Sequence, residues 1–288
     1  MEVACIGTGA MGAPIAELLL ERGVAVRAFD VDAARSQPLA ASGARIAASP
    51  AEAADGAAVA LLTVATPDQL RQAVLEPGGA AESLGPGAIV AVLATVGVEE
   101  VQGLERALVP RGLAVLDAPV SGGPARARAG TLVVMAGGDR ASYETALPLL
   151  EAIGRDVFHC GPVGAGQALK LVNQLLAGVH IAVAAEALSF AQASGVDAQA
   201  ALAAVTSGAA ASFMLEDRGP RMLARSFEPS GATVDTFAKD LGLVVSAARE
   251  AGFEPRLAET AEKAFAEAAR RGLGSLDDSA VIEVFDPR

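Results

Sequence analysis

The segment Gly7-Thr8-Gly9-Ala10-Met11-Gly12 constrains the fold of this chain more than any other segment does. It follows a strand-like apolar run at residues 2–6 and precedes a helical pattern from Met11 to Arg22. In a strand–turn–helix unit, the first glycine permits the tight turn, the second lets the backbone approach a pyrophosphate, and the third lets helix and strand pack closely. The sequence therefore predicts a dinucleotide-binding unit with Gly7, Gly9, Ala10, Met11 and Gly12 as cofactor-binding residues, although a glycine pattern of this kind can by itself be an ordinary tight turn.

Asp30 comes directly after the second predicted strand, Val24 to Phe29, and lies about 20 residues beyond the glycine turn. A carboxylate at this place can accept hydrogen bonds from the adenosine ribose hydroxyls and repels a 2′-phosphate. We therefore predict NAD rather than NADP as the cofactor. Two alternatives stay open: Asp30 could be a turn residue ahead of Asp32, the better helix cap, and the cation of Arg35 is near in sequence.

Charge and composition exclude several classes of protein. The 288 residues carry a formal net charge of −12 and no Trp, so neither clustered cations for phosphates nor aromatic surface for bases is expected, and nucleic acid is excluded as a partner. Two Cys and two His residues without ligand spacing predict no metal site. No signal peptide and no membrane span are predicted, which favours the cytoplasm.

Strand and helix patterns alternate up to residue 162, which predicts a doubly wound parallel sheet of the Rossmann type. Residues just past two strands, Val64, Ala65 and Thr95, are expected to face the cofactor, because ligands bind at the carboxyl ends of parallel strands. Beyond the second strand, further strands are predicted at Arg45–Ala47, Val59–Val64, Ala88–Leu93, Leu113–Leu116, Thr131–Ala136 and Val157–Cys160.

Strand patterns stop after Gly161-Pro162, and a long helix is predicted from about residue 164 to Ser194. The fold predicted is α/β, with a Rossmann-type domain at residues 1–162 and an all-helical domain at residues 163–288, joined by this long helix. Shorter helices are predicted at Asp197–Thr206, Ala211–Leu223, Ala232–Ala251, Pro255–Arg271 and Asp278–Val284.

Two segments carry candidate chemistry outside the glycine turn. In the long helix, Lys170, Asn173 and Gln174 share a face, with Gln167 one turn earlier. A lysine on an amphipathic helix can also simply extend to water. The turn Ser121-Gly122-Gly123 follows a strand and offers N–H groups and a hydroxyl to an anion, although such a turn can be only a connection.

Taken together, these blocks resemble the β-hydroxyacid dehydrogenase family, which contains 3-hydroxyisobutyrate dehydrogenase and tartronate semialdehyde reductase. The resemblance covers nearly the whole chain, and the stretches at residues 174–181, 239–244 and 277–282 look like its L-threonate dehydrogenase branch. Four blocks carry it in the family's order: Gly7–Pro14, Asp117–Thr131, Gly164–Gln174 and Lys239-Asp240-Leu241.

The resemblance implies a hydride transfer between NAD and a small hydroxy acid, with L-threonate favoured. Lys170 would be the catalytic acid and base, and Asn173 would orient the substrate. A homodimer or homotetramer is implied as well. The remaining substrate-binding residues implied are Ser121, Gly122, Gly123, Gln174 and Lys239, the last also near the cofactor.

The chain departs from the family pattern at three places: Val92-Leu93-Ala94-Thr95 lacks a hydroxyl beside Thr95, Ala232 replaces an aromatic residue, and Asp235 lies one turn before Lys239. These departures bear on the substrate. Alternatives are 3-hydroxyisobutyrate or semialdehyde reduction, imine reduction, which the lysine disfavours, and a non-catalytic NAD-binding scaffold or sensor.

Overall fold

The computed structural model describes residues 2–228 and 231–286, so the outermost ends of the two predicted domains lie outside the described residues. The chain divides into two compact units, Met1–Lys170 and Leu171–Arg288. The first is an α/β unit and the second is helical, which confirms the predicted fold class. The predicted division into cofactor and substrate domains at residue 162 stays a prediction.

The first unit is built on a sheet of nine strands. The order along the sheet is β3-β2-β1-β4-β5-β6-β8-β7, with β9 paired to β8. The strands are β1 Glu2–Ile6, β2 Ala25–Phe29, β3 Arg45–Ile46, β4 Val59–Leu62, β5 Ile89–Val92, β6 Ala114–Asp117, β7 Val120–Ser121, β8 Leu132–Gly137 and β9 Gly154–Gly161.

Strands β1 to β6 are all parallel, and the strand order reverses between β1 and β4. Such a reversal point is where doubly wound sheets bind dinucleotides. The prediction of a wholly parallel sheet is wrong beyond β6, because β8 runs antiparallel to both β6 and β7. A helix of only seven residues connects β7 to β8, which is shorter than the crossover needed to return to a parallel strand.

Helices cover both faces of this sheet, and two apolar clusters form the cores beneath them. The central strands are apolar and buried along their whole length, as strands covered on both faces must be. The helices of this unit are α1 Gly12–Glu21, α2 Ala33–Ser36, α3 Pro50–Ala54, α4 Pro67–Val74, α5 Val98–Leu108, α6 Gly123–Ala129 and α7 Arg140–Ile153. Short 3-10 turns occupy Gln37–Ser42, Ala80–Glu82 and Val109–Arg111.

Helix α8, Ala165–Ala193, begins at the sheet and is capped there by Asp117, the last residue of β6. The Asp117 carboxylate accepts hydrogen bonds from the backbone N–H groups of Gly164 (2.7 Å) and Gln167 (2.6 Å). Asp117 is 0% exposed. Its burial raises the pKa of its carboxyl to about 7, and the N–H groups of the helix oppose that rise.

The second unit packs its helices around one apolar core, to which α8 contributes residues from Leu171 onward. Gly178 lets α8 approach the next long helix closely, because a side chain there would meet Leu241. The helices are α9 Ala198–Thr206, α10 Phe213–Ala224, α11 Val234–Glu250, α12 Arg256–Ala268 and α13 Ile282–Phe285, with a π turn at Ala269–Leu273 and a 3-10 turn at Asp278–Val281.

Two buried carboxylates tie the end of the chain to α10. Arg218 donates to both oxygens of Asp278 (3.0 and 2.8 Å), and Arg221 donates to Asp277 (3.0 Å). Both carboxylates are 0% exposed, so loss of either arginine would leave a buried carboxylate without that ion pair. Two residues of the stretch 277–282, which resembles the threonate branch, therefore attach this part of the chain to α10.

Within the described residues, α8 alone is long and apolar enough to cross a membrane, with a mean hydropathy of 1.5 in its most apolar window. Half of that window is buried inside the protein. A core helix of a globular protein has the same length and composition. The prediction that the chain has no membrane span stays a prediction.

The raised pKa of Asp117 predicts a pH dependence of folding. Because its pKa of about 7 lies above the ordinary 3.8, the folded state holds this proton more tightly than the unfolded state. The stabilisation from that proton is complete below the unfolded pKa and is lost as the pH rises through about 7. Urea unfolding should therefore show that wild-type protein loses more stability than Asp117→Asn between about pH 5 and about pH 8. Parallel pH curves for the two proteins would contradict this.

Candidate functional site

The predicted phosphate-binding turn lies between β1 and α1, at the point where the strand order reverses. Gly7 has a φ of +88°, and a Cβ on Gly12 would lie 1.9 Å from the Gly7 oxygen. Both positions therefore require glycine. The Thr63 hydroxyl, which follows β4, donates to the same Gly7 oxygen and was not identified from the sequence.

The turn opens into a surface pocket of about 480 Å³ lined by Thr8, Gly9, Ala10, Arg35 and residues of α1 and α2. A Cβ on Gly9 would meet nothing nearer than the Arg35 guanidinium, at 3.6 Å. Helix α1 has no side-chain cap, so its first N–H groups are suited to an anion. This geometry fits the diphosphate of a nicotinamide dinucleotide, which Gly9, Ala10 and Met11 would hold.

Asp30 forms hydrogen bonds at the glycine turn. Its carboxylate accepts from the backbone N–H of Thr8 (2.7 Å) and from that of Asp32 (2.9 Å). Asp32 caps α2, as predicted, and forms an ion pair with Arg35 (3.3 Å). The carboxylate predicted to bind ribose therefore also holds the glycine turn, and the Arg35 cation lines the pocket beside that turn.

The other residues predicted near the cofactor lie in two loops at the carboxyl ends of β4 and β5. Val64 and Ala65 lie between β4 and α4, where the Ala65 N–H donates to the side chain of Gln69 (2.8 Å). Thr95 lies between β5 and α5. Strand β4 ends at Leu62, two residues before its predicted end, so Val64 belongs to the loop.

The predicted anion-binding turn begins in β7 and ends in α6. Ser121 is the last residue of β7, and Gly122 and Gly123 have φ values of +138° and +71°. The side chain of Arg126 packs over Gly122, since a Cβ there would lie 2.7 Å from the Arg126 Cδ. The aliphatic part of the Arg126 side chain therefore covers this turn, a contact that the sequence did not indicate.

Lys170 lies on the buried face of α8 and is 7% exposed. Gln167 and Gln174, one turn before and one turn after it, are buried on the same face. Asn173, three residues after Lys170, is half-buried. Burial is not what a lysine that merely extends to water would show.

The Gln167 side chain does not project into the space predicted for it. Its Oε1 accepts from the N–H groups of Val96 (3.0 Å) and Gly97 (3.1 Å), and its Nε2 donates to the Ala94 oxygen (2.8 Å). Gln167 therefore fastens α8 to the loop that carries Thr95. Sequence spacing contained no signal for this contact, because the partners lie about 70 residues apart.

In the helical unit, two polar residues of α8 and two of α11 form one connected network. Asn173 donates to the Gln174 oxygen (2.9 Å), and Gln174 donates to Asp240 (2.5 Å). The other oxygen of Asp240 lies 2.8 Å from Lys239 Nζ. Asp240 is 3% exposed and joins the two helices. The adjacent Lys239 and Asp240 were visible in the sequence, but the sequence predicted a binding role only for Lys239 and none for Asp240.

No group of three or more His, Cys, Asp or Glu side chains within residues 2–228 and 231–286 is placed to hold a metal ion. Cys5 and Cys160 are free cysteines, and burial raises the pKa of the Cys5 thiol to about 12. These cysteines are therefore not activated as nucleophiles.

Comparison with known proteins agrees with the described units. Residues 2–161 match the family model for the NAD binding domain of 6-phosphogluconate dehydrogenase. Residues 164–285 match the model described as NAD-binding of NADP-dependent 3-hydroxyisobutyrate dehydrogenase. The first match covers more than half of the chain, so the chain has an NAD(P)-binding domain.

Individual relatives match along the whole length. L-threonate dehydrogenase of Cupriavidus necator is 41% identical over 98% of this chain and 95% of its own. NAD-dependent L-serine dehydrogenase of Pseudomonas aeruginosa is 34% identical over 99% of this chain and 98% of its own. The crystal structure of 3-hydroxyisobutyrate dehydrogenase from Salmonella typhimurium is 36% identical, with a TM-score of 0.92 over 99% of this chain and 100% of that chain.

These relatives share both units with the chain, and all are dehydrogenases that act on a hydroxyl-bearing acid. Their agreement in sequence and in fold confirms the resemblance inferred from the four motifs. The chain therefore belongs to the β-hydroxyacid dehydrogenase family and is a nicotinamide-dinucleotide-dependent dehydrogenase of small hydroxy acids.

Proposed function

We propose that this protein oxidises a small sugar acid, with L-threonate favoured, and that it uses NAD in the cytoplasm. The observation that carries the substrate is the 41% identity to an L-threonate dehydrogenase over nearly the full length of both chains. The 34% identity to an L-serine dehydrogenase makes L-serine the second candidate. Both molecules carry a carboxylate and a hydroxyl on C3, so the same site chemistry would serve either one.

The proposed chemistry assigns the proton to Lys170. When bound, the nicotinamide supplies the acceptor for the hydride that leaves the carbinol carbon. The hydroxyl proton passes to a neutral Lys170 amine as the carbonyl forms, and in the reverse direction the Lys170 ammonium returns it. The buried position of Lys170 supports this role, since water would otherwise compete for the proton.

Several of the predicted residues are proposed to bind the substrate. Ser121, Gly122 and Gly123 would bind the carboxylate through the hydroxyl and backbone N–H groups. Asn173 would orient the substrate, and Gln174, whose side-chain oxygen accepts a hydrogen bond from Asn173, would help to bind it. Lys239, paired with Asp240, would contact the cofactor and the far end of the substrate.

The cofactor preference rests on Asp30. Its carboxylate accepts from the N–H groups of Thr8 and Asp32 beside the glycine turn, where it would accept hydrogen bonds from the ribose hydroxyls and repel a 2′-phosphate. Arg35 is already paired with Asp32. The remaining proposed cofactor contacts are Gly7, Gly12, Val64, Ala65 and Thr95.

We expect purified protein to reduce NAD with L-threonate at a higher kcat/KM than with L-serine, erythronate, glycerate or 3-hydroxyisobutyrate. NAD should be preferred over NADP, because of the charge of Asp30. Initial rates of absorbance increase from the reduced cofactor measure both ratios. A preference for NADP would refute the Asp30 argument. Tight NADH binding without turnover of any compound in the panel would instead indicate a non-catalytic scaffold.

Lys170→Ala should lower kcat by about 10²- to 10⁴-fold, the usual contribution of general acid–base assistance. The Kd for NADH, measured by fluorescence titration, should stay nearly unchanged because Lys170 does not contribute to the phosphate-binding turn. Lys263→Ala is the matched control, since Lys263 is an exposed lysine of α12. Near-wild-type turnover by Lys170→Ala would remove Lys170 from the chemistry.

We also propose a homodimer or homotetramer formed along α8. This helix exposes an apolar row at a spacing of three, four and seven residues, which suits packing against another helix. Its exposed members are Leu169, Val172, Leu176, Val183 and Phe190.

Light scattering should therefore find an oligomer for the wild type and a smaller species for Val183→Asp, because an interface cannot bury the new charge. Val109→Asp is the control, since Val109 is similarly exposed but lies outside α8. A monomeric wild type would contradict the proposal.

A further inference from the structure

Two buried polar side chains that no step of the proposed chemistry uses join α8 to the sheet. The Asp117 carboxylate accepts hydrogen bonds from the N–H groups of Gly164 and Gln167, which lie 47 and 50 residues later in the sequence. Gln167, in the next turn, forms three hydrogen bonds with the loop after β5. Both side chains are 0% exposed, so neither is placed to touch a substrate.

The space around the Asp117 carboxylate allows little movement of the helix. A Cβ on Gly137 would lie 2.5 Å from Asp117 Oδ1, and one on Gly166 would lie 2.3 Å from the Met135 oxygen. The backbone of α8 therefore contacts β6 and β8 directly, with only glycine between them. A shift of the first turn would either strain these contacts or break the two carboxylate hydrogen bonds.

Lys170 lies one turn beyond Gln167, so its position follows that of the first turn. Thr95 lies between Ala94 and Val96, and the Gln167 side chain binds both of these neighbours. One carboxamide thus links the loop proposed to contact the nicotinamide with the helix that carries the proposed proton acceptor. Hydride and proton transfer need their groups aligned within about 1 Å, and a misplacement of that size costs about 10²-fold in rate.

We propose that Asp117 and Gln167 are positioning residues: they fix the start of α8 to the carboxyl ends of β6 and β5, and thereby set Lys170 relative to the loop that carries Thr95. This inference rests on the proposed role of Lys170. It assigns to Asp117, which opens the proposed substrate motif, a role in holding the catalytic helix rather than in binding substrate.

The variants that test this are Asp117→Asn and Gln167→Met. Asparagine keeps the shape but turns an N–H donor toward one of the helix N–H groups, and methionine removes all three loop hydrogen bonds. The matched control is Asp139→Asn. Asp139 caps α7 in the same unit by accepting from the Ser142 N–H (2.9 Å), and α7 carries no proposed site residue.

Hydrogen exchange followed by mass spectrometry needs no activity and is read first. Asp117→Asn and Gln167→Met should speed amide exchange in residues 164–170, and Gln167→Met also in residues 94–97. Asp139→Asn should speed exchange only at the start of α7. Unchanged exchange at residues 164–170 in both test variants would overturn the proposal.

The second measurement is kcat with L-threonate, compared with kcat for L-threonate that carries deuterium at the carbon to be oxidised. Both test variants should lose about 10- to 100-fold in kcat and show a larger deuterium isotope effect, because misalignment slows hydride transfer itself. The NADH Kd should change far less. In Asp139→Asn, kcat per folded enzyme and the isotope effect should equal the wild-type values.

The proposal fails if the test variants match Asp139→Asn in kcat and in isotope effect at equal folded concentration. If Asp117→Asn does not fold, Gln167→Met still decides the question. If the wild type turns over neither L-threonate nor another hydroxy acid of the panel, the proposed function fails by itself. The exchange comparison then decides whether the two side chains hold the helix.

Discussion

The interaction on which the described architecture depends is the one between the Asp117 carboxylate and the start of α8. Helix N-termini favour negative charge, whereas burial disfavours it, and these opposing effects leave the pKa of this carboxyl at about 7. Removing the carboxylate would leave the N–H groups of Gly164 and Gln167 buried without this acceptor. A 29-residue helix that runs through both units thus takes its starting point from the end of a strand.

The first unit uses two helix N-termini in opposite ways. Helix α1 begins without a side-chain cap beside an open pocket, so its N–H groups remain suited to the phosphates of a dinucleotide. Helix α8 begins against the sheet and is capped by a residue of the protein itself. The same physical property therefore suits one helix to the proposed cofactor phosphates and fixes the start of the other, which carries the proposed catalytic lysine. Glycine makes both possible, at Gly12 and at Gly166, where a Cβ would collide with backbone oxygens.

In the helical unit, a hydrogen-bonded network holds polar side chains of two helices in place. Gln174 and Lys239 come from different helices, and the buried carboxylate of Asp240 contacts both. Gly178 permits the close approach of α8 and α11 that this network needs. Because unpaired polar groups are costly in an apolar core, a connected set of this kind specifies one arrangement of the two helices. The orientation of the proposed substrate-binding side chains is thus part of the packing of the unit.

The sequence by itself determined the elements that depend on local pattern: the glycine turn with Asp30, the strands other than β7, and the long helix that carries Lys170. These features follow from residue spacing, because periodicity and turn chemistry act over a few residues. Only the tertiary structure decided that β8 runs antiparallel, that Asp117 caps α8, that Gln167 binds the loop of Thr95, and that Asp240 joins Gln174 to Lys239. Apart from the neighbouring pair Lys239 and Asp240, those contacts join residues that are 20 to 73 positions apart in sequence. A buried donor or acceptor finds its partner through space rather than along the chain.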